Sequence, residues 1–355
     1  MKKIRVMIVE DSSVVRALLE YSIGRDSRLE VCATAGTAED ALGMLAAAAP
    51  DVIVMDIGLP GIDGLEATRR IMSRNPIPIV AVAAPRQAGK WNALAMDALR
   101  AGVLTVIEKP VGTAHADYQM LAERLCTQLV IMSQVRLVRQ HSTHHPVPVK
   151  FRPPACTTHG EFKMLGIVCS AGGPGALVRL LCALGRDFPL PILLVQHMTA
   201  SFLGGFASWL QNTSPFPVTI VHDGAVPEPG TIHIAPADWH LRLRYGVLRL
   251  DQGDPVSFQR PSGTTLFHSM AMSLGPEALG VLLTGMGDDG AAGLLDILRS
   301  GGFTIAEDES TAVVYGMPGA AVQLGAVCES LPLPAIAGRI LELVSASVLA
   351  AGKRG

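Results

Sequence analysis

No hydrophobic run in this 355-residue chain approaches the roughly 20 residues that a membrane-spanning helix needs, although 49% of the residues are apolar. That apolar content is available for cores, and a chain of this length is expected to hold two domains. An excess of one charge is also missing. Basic residues number 29 against 31 acidic ones, and no basic stripe is present, so nucleic acid is not an expected partner. The cysteines (Cys32, Cys126, Cys156, Cys169, Cys182, Cys328) are scattered. None pair at metal spacing, and a disulfide framework is not expected in a chain this long. The opening "MKKIRVMIVED" has a basic flank, but Glu10 and Asp11 cut its apolar run short. It reads as a first strand and not as a signal peptide. A cytoplasmic protein with no membrane insertion is expected.

Two blocks alternate short apolar runs with longer amphipathic ones, the pattern of parallel sheets flanked by helices. The first offers strands "IRVMIV", "EVCATA", "DVIVMD", "IPIVAVAA" and "LTVIEK", with a last helix near 116–139. The second offers "KMLGIVCS", "LPILLVQH", "TIHIAP" and "ALGVLLTG". Between them lies "QHSTHHPVPVKFRPPACTTHG", which has no periodicity and reads as a linker. Its histidines (His141, His144, His145, His159) read as polar linker residues rather than as a metal site. The expected fold is α/β, two doubly wound parallel-sheet domains. A flavodoxin-like domain spans 1–120, a helix end and linker 121–160, and a Rossmann-like domain 161–350.

In the first block, Glu10 and Asp11 end the first strand and Asp56 ends the third. Both ends lie on the carboxyl edge of a doubly wound sheet, where ligands bind. Three close carboxylates repel and require a counter-charge. Mg²⁺ fits, as a hard cation with oxygen ligands. Lys109, at the end of the fifth strand, is placed to reach the same spot.

In the second block, "MLGIVCSAGGPGAL" ends an apolar run in Ser170 and continues in glycines. It lacks the Lys-Ser/Thr ending of a P-loop and does not give G-x-G-x-x-G in register. No acid ends the next strand to hold a ribose. A nucleophile on a sharp strand-to-helix turn fits better. It needs a base and a group to orient that base. His197 ends the adjacent strand, on the same edge. "LLTGMGDDGAAGLL" supplies Asp288 and Asp289, one expected to cap the following helix and the other to orient His197. Backbone N–H groups near Met286 and Gly287 could stabilise an oxyanion.

Two resemblances follow from these stretches. "VEDSSVVR", "DVIVMDIGLPGIDGLEA" and "EKP" resemble the receiver domain of two-component response regulators, over about the first 112 residues. The resemblance implies that Asp56 accepts a phosphoryl group from a histidine kinase. Glu10, Asp11 and Asp56 would hold Mg²⁺, Lys109 would contact the phosphoryl oxygens, and the Lys109–Pro110 bond would be cis. Ala83 stands where receivers carry Ser or Thr, and Val106 where they carry a switch aromatic. "SAGGPGAL", "VQHM", "IAPADWHL", "RPSGTTLFHSMA" and "LLTGMGDDGAAGLL" resemble the catalytic domain of the chemotaxis protein-glutamate methylesterases, from about 164 to 345. That resemblance implies Ser170 as nucleophile, His197 as base, Asp289 as orienting acid and the Met286 amide in an oxyanion hole, with no cofactor in this domain. The implied substrate is a methyl-accepting chemoreceptor, with glutamine deamidation by the same chemistry. The receiver is expected to cover the esterase site until phosphorylated. Ala171 replaces the family's Thr, "IVCS" its "IGAS", and Thr264 an acid. The rival readings are a receiver-bearing signalling adaptor with weak catalysis and a nucleotide-dependent enzyme.

Overall fold

A computed structural model of the chain describes residues 2–83, 97–98, 103, 105–109, 118–133 and 161–351. The chain divides into two units, Met1–His141 and Ser142–Gly355. The stretch 140–160, the helix expected beyond Ser133, and Pro110 with its expected cis bond lie outside the described residues.

In the first unit β1 (Ile4–Val9), β2 (Leu29–Ala35), β3 (Val52–Asp56), β4 (Ile79–Ala83) and β5 (Thr105–Glu108) form one sheet in the order β2-β1-β3-β4-β5. All its pairings are parallel, and the order is that of flavodoxin-like sheets. Strands β3 and β4 are buried along their whole length. Covered on both faces, they need continuous apolar runs instead of alternation. Helices α1 (Ser13–Gly24), α2 (Ala38–Ala48) and α3 (Gly64–Arg74) each begin at a polar cap. The side chains of Ser12, Thr37 and Asp63 accept the N–H groups of Val15, Asp40 and Glu66, satisfying donors that the helix itself leaves free. Helix α4 (Tyr118–Ser133) buries Leu121, Leu125, Leu129 and Met132, one stripe at helical spacing.

The second unit contains β6 (Met164–Cys169), β7 (Ile192–Gln196), β8 (Val218–Ile220), β9 (Ile232–Ile234), an antiparallel hairpin of β10 (His240–Arg244) and β11 (Val247–Asp251), then β12 (Ala278–Leu282), β13 (Phe303–Glu307) and β14 (Glu329–Leu331). Apart from the hairpin, these form a seven-stranded sheet in the order β14-β13-β12-β6-β7-β9-β8, parallel at every pairing. The chain leaves β6 toward β7 and β9, then returns to β12 on the other side of β6. The β6/β12 boundary is therefore a topological switch point, where a crevice opens at the carboxyl ends of the strands. The three-residue β8 and β14 escape a periodicity reading because they are too short to show one.

Helices α5 (Gly173–Leu184), α6 (Ala200–Thr213), α7 (Gly263–Leu274), α8 (Ala291–Arg299), α9 (Met317–Gln323) and α10 (Leu333–Ala351) complete this unit. Phe267 and Met270 of α7 and Leu294 and Ile297 of α8 pack in one core with Val168 and Leu282 of the sheet. Each large apolar side chain buried this way contributes about 1.5–3 kcal/mol by leaving water. Among the described residues, no helix is long and apolar enough to cross a membrane. Cys32, Cys126, Cys169 and Cys182 are free thiols. Cys328 is disulfide-bonded, a bridge the spacing did not announce.

Candidate active site

Ser170 follows β6 directly, and His197 follows β7. The pairing of Cys169 with Gln196 sets them side by side at the sheet edge. The His197 N–H donates to the Cys169 carbonyl at 3.1 Å. Gln196 fixes both residues, its Nε2 donating to the Ser170 and His197 carbonyls at 3.1 Å each. After Ser170 the chain turns sharply. Gly172 has φ +77°, and a Cβ there would lie 2.7 Å from Val313 Cβ, so only glycine fits this elbow. Helix α5 starts at the next residue. Ser170 is thus half-exposed at the head of a strand–turn–helix, as the sequence leads one to expect.

The His197 ring is oriented by a carboxylate. Its Nε2 lies 2.9 Å from Asp289 Oδ2, and Asp289 is 1% exposed. An ionised carboxylate only accepts, so Nε2 carries the proton and Nδ1 holds a lone pair. Nδ1 is buried and has no hydrogen-bond partner. It is the ring nitrogen that remains free to accept a proton.

Asp289 sits in a cradle made by the start of α7. Its Oδ1 accepts from Ser262 Oγ at 2.6 Å and from the Thr264 N–H at 3.1 Å. Its Oδ2 accepts from the Gly263 N–H at 2.6 Å, besides His197. A helix N-terminus presents free N–H groups and positive potential, which suit an anion. Burial works against the charge, but the hydrogen bonds from His197, Ser262 and Gly263 outweigh it. The carboxyl is held below its ordinary range.

One expectation is corrected here. Neither aspartate of "GMGDDG" caps α8 with its side chain. Gly290, with φ +89°, is the N-cap and has no side chain of its own to accept a helix N–H. Asp288 stays exposed, while Asp289 is drawn to the end of a different helix. Thr264, standing where the resemblance calls for an acid, accepts the Gly290 N–H at 2.8 Å and so ties α7 to the turn carrying Asp289.

Met286 lies in the turn after β12, half-buried. Its neighbours are pinned. Gly285 donates to Val314 O at 3.0 Å, and the N–H groups of Gly316 and Met317 both bond Gly285 O. Among the described residues no backbone acceptor takes the Met286 N–H. Gly285 must be glycine, because a Cβ would lie 2.9 Å from Ser170 Cβ. Thr284 links this turn to the elbow. Its carbonyl accepts the Ser170 N–H at 3.0 Å, its hydroxyl donates to Ala171 O at 2.9 Å, and its N–H donates to the buried Glu307 at 2.8 Å.

The first unit brings together the other predicted group. Val9 pairs with Met55, so Glu10 leaves β1 beside Asp56 at the end of β3. Ligand oxygens of Glu10, Asp11 and Asp56 lie within 4.8 Å of one another. Lys109 reaches past the end of β4, where small Ala83 stands, to Glu10 at 2.7 Å and Asp56 at 2.9 Å. Burial pushes the Glu10 carboxyl above its ordinary value, Lys109 opposes this, and the Asp56 charge adds to it. Clustered oxygens of this kind, two of the three acids buried, fit a hard divalent cation.

Sequence reading missed Gln196, Ser262, Gly263 and Thr284 as parts of the site. The segment "RPSGTT" carries a visible signal, a serine ahead of an apolar periodic run, but nothing local says which carboxylate that helix end holds.

The family model described as CheB methylesterase matches residues 165–340, and the response regulator receiver domain matches residues 6–117. A protein-glutamate methylesterase/protein-glutamine glutaminase of Paramagnetospirillum magneticum is 53% identical over 350 residues, covering 96% of this chain and 98% of that one. One from Nitrosospira multiformis is 39% identical over 346 residues, covering 96% and 97%. The solved catalytic domain of Thermotoga maritima CheB methylesterase is 36% identical, with a TM-score of 0.50. It aligns over 52% of this chain and 100% of its own length.

Proposed function

The chain belongs to the CheB methylesterase family, with a receiver domain ahead of the catalytic one, and from that premise we propose that Ser170, His197 and Asp289 carry out the family's hydrolysis on chemoreceptor glutamates. The protein is a phosphorylation-regulated protein-glutamate methylesterase, and its relatives' names add glutaminase activity. The single observation that carries the assignment of residues is the His197–Asp289 contact at 2.9 Å beside Ser170, with Nδ1 left open.

Ser170 Oγ attacks the ester carbonyl of a methylated glutamate while His197 Nδ1 takes its proton. Asp289 stays ionised in its cradle and stabilises the imidazolium. The Met286 N–H faces the oxyanion. The tetrahedral intermediate collapses, the C–O bond to methoxide breaks, and His197 returns the proton to release methanol. Water then attacks the acyl-enzyme with His197 as base, freeing glutamate and Ser170. With a glutamine side chain the leaving group is ammonia. The adaptor reading has no comparable support, because it gives no role to the His197–Asp289 contact or to the hydrogen bonds that hold Asp289.

In the receiver, Asp56 is the phosphoryl acceptor, supplied by the histidine kinase of a chemosensory pathway. Glu10, Asp11 and Asp56 would hold Mg²⁺, which when bound neutralises charge between carboxylates and phosphoryl oxygens. Lys109 supplies a further positive charge at the same place.

Methanol release from methylated receptor cytoplasmic fragments, measured on the full chain, tests this reading. A small-molecule phosphoryl donor is expected to raise the rate by about 5–150-fold, the usual range of coupling between two sites. Asp56→Asn is expected to stay at the basal rate with donor, as is the wild type after chelation of divalent ions. A donor response undiminished in Asp56→Asn would overturn the assignment of Asp56.

A further inference from the structure

His240 is a buried histidine, 1% exposed, that the hydrolytic steps do not use. It opens β10, and both of its ring nitrogens are engaged. Nδ1 accepts the Ser262 N–H at 3.2 Å, so it carries no proton. Nε2 therefore bears the hydrogen and donates it to the Asp254 carbonyl at 3.0 Å. The ring is a neutral strut between the strap 252–262 and the start of α7.

Ser262 is the residue it grips. Ser262 caps α7 and donates its hydroxyl to Asp289, and the next two N–H groups bond the same carboxylate. The position of the Ser262 backbone thus sets three of the four hydrogen bonds around Asp289. The hairpin is braced along α7 as well. The Leu243 N–H donates to Ser269 Oγ at 2.9 Å, and Ser273 Oγ donates to Leu243 O at 2.8 Å. Asp238 N–H bonds Arg260 O at 3.3 Å, closing the strap on the hairpin.

We propose that His240 is a positioning residue for the hydrolysis: as a neutral acceptor it holds Ser262, and through Ser262 it holds Asp289 against His197. This rests on the triad reading above. A relay of this kind acts on geometry at the reacting centre, where a displacement near 1 Å costs about 100-fold.

Two near-isosteric replacements separate the two ring nitrogens. His240→Asn keeps an acceptor where Nδ1 stands. His240→Gln keeps only a donor where Nε2 stands. Methanol release by the full-length variants is expected to show kcat within about threefold of wild type for His240→Asn. For His240→Gln it is expected about 10–100-fold lower, with KM unchanged in both. The downfield proton resonance of His197 Nε2–H is expected to persist in His240→Asn and to shift or broaden in His240→Gln. If His240→Gln fails to fold, His240→Asn decides alone, and loss of both its rate and its His197 resonance overturns the proposal. Equal rates and equal resonances in the two variants overturn it too, leaving His240 as packing. The wild-type rate, measured alongside, reports on the triad reading separately.

Discussion

Ser170→Ala is expected to reduce methanol release by about 10⁴–10⁶-fold, the loss seen when a serine nucleophile is removed from a triad. The elbow offers no substitute. Ala171 has no hydroxyl, and the residues that follow it are Gly172, Gly173 and Pro174. The nearby Cys169 thiol is fully buried, bonded to Gln196 Oε1 at 3.0 Å, and burial holds its pKa well above the ordinary value, so it supplies no thiolate. The change removes one oxygen from a half-exposed position, and the thermal midpoint is expected to move little. Methanol assay and a melting curve on the same sample separate the two effects. A variant that kept a tenth of the wild-type rate would remove Ser170 from the mechanism.

Asp289→Asn is expected to cost about 10⁴-fold in kcat, for a reason that the hydrogen bonds make explicit. Each Asp289 oxygen accepts from two donors: Ser262 Oγ and Thr264 N–H on one side, Gly263 N–H and His197 Nε2 on the other. An amide has one oxygen and one donor group. With its NH₂ toward His197, it forces the imidazole proton onto Nδ1, the nitrogen that must receive the Ser170 proton. With its NH₂ the other way, it confronts the Thr264 N–H. Both arrangements break the site. The same variant loses stability, because the ionised carboxylate at the start of α7 is favourable in the folded state. That contribution follows from a folded pKa below the unfolded one. It is fully present above the unfolded value near 4 and is lost as pH falls through the depressed folded value. Wild type and Asp289→Asn are therefore expected to differ most in stability at neutral pH and to converge in acid.

The first sheet was legible because its central strands are buried on both faces and are written as continuous apolar runs. Acids at the ends of two such runs could only be neighbours on the carboxyl edge. The pairing of Val9 with Met55 makes them so. Ser170 was legible for the same reason, as the first polar residue after an apolar strand, and His197 as the residue that follows the next such strand, just past Gln196. Asp289 was harder. Its sequence neighbourhood reads as a helix cap, and that local reading fails because Gly290 takes the cap with a positive φ. The carboxylate is instead placed by the packing of α7 on α8, a contact between segments some 26 residues apart. The work of Ser262, Gly263 and His240 was illegible on that account, since it depends on tertiary packing with no periodic trace.

The central claim is that one serine, activated by His197, carries the hydrolysis. The most direct test treats the full-length protein with a fluorophosphonate ester, which phosphonylates activated serines. The modified residue is located by peptide mass spectrometry while methanol release is followed in the same sample. The expected result is a single adduct on Ser170, with activity falling in proportion to labelling and no adduct forming in His197→Ala. Methanol release that continues with Ser170 fully modified, or an adduct on another residue that tracks the loss of activity, would contradict it.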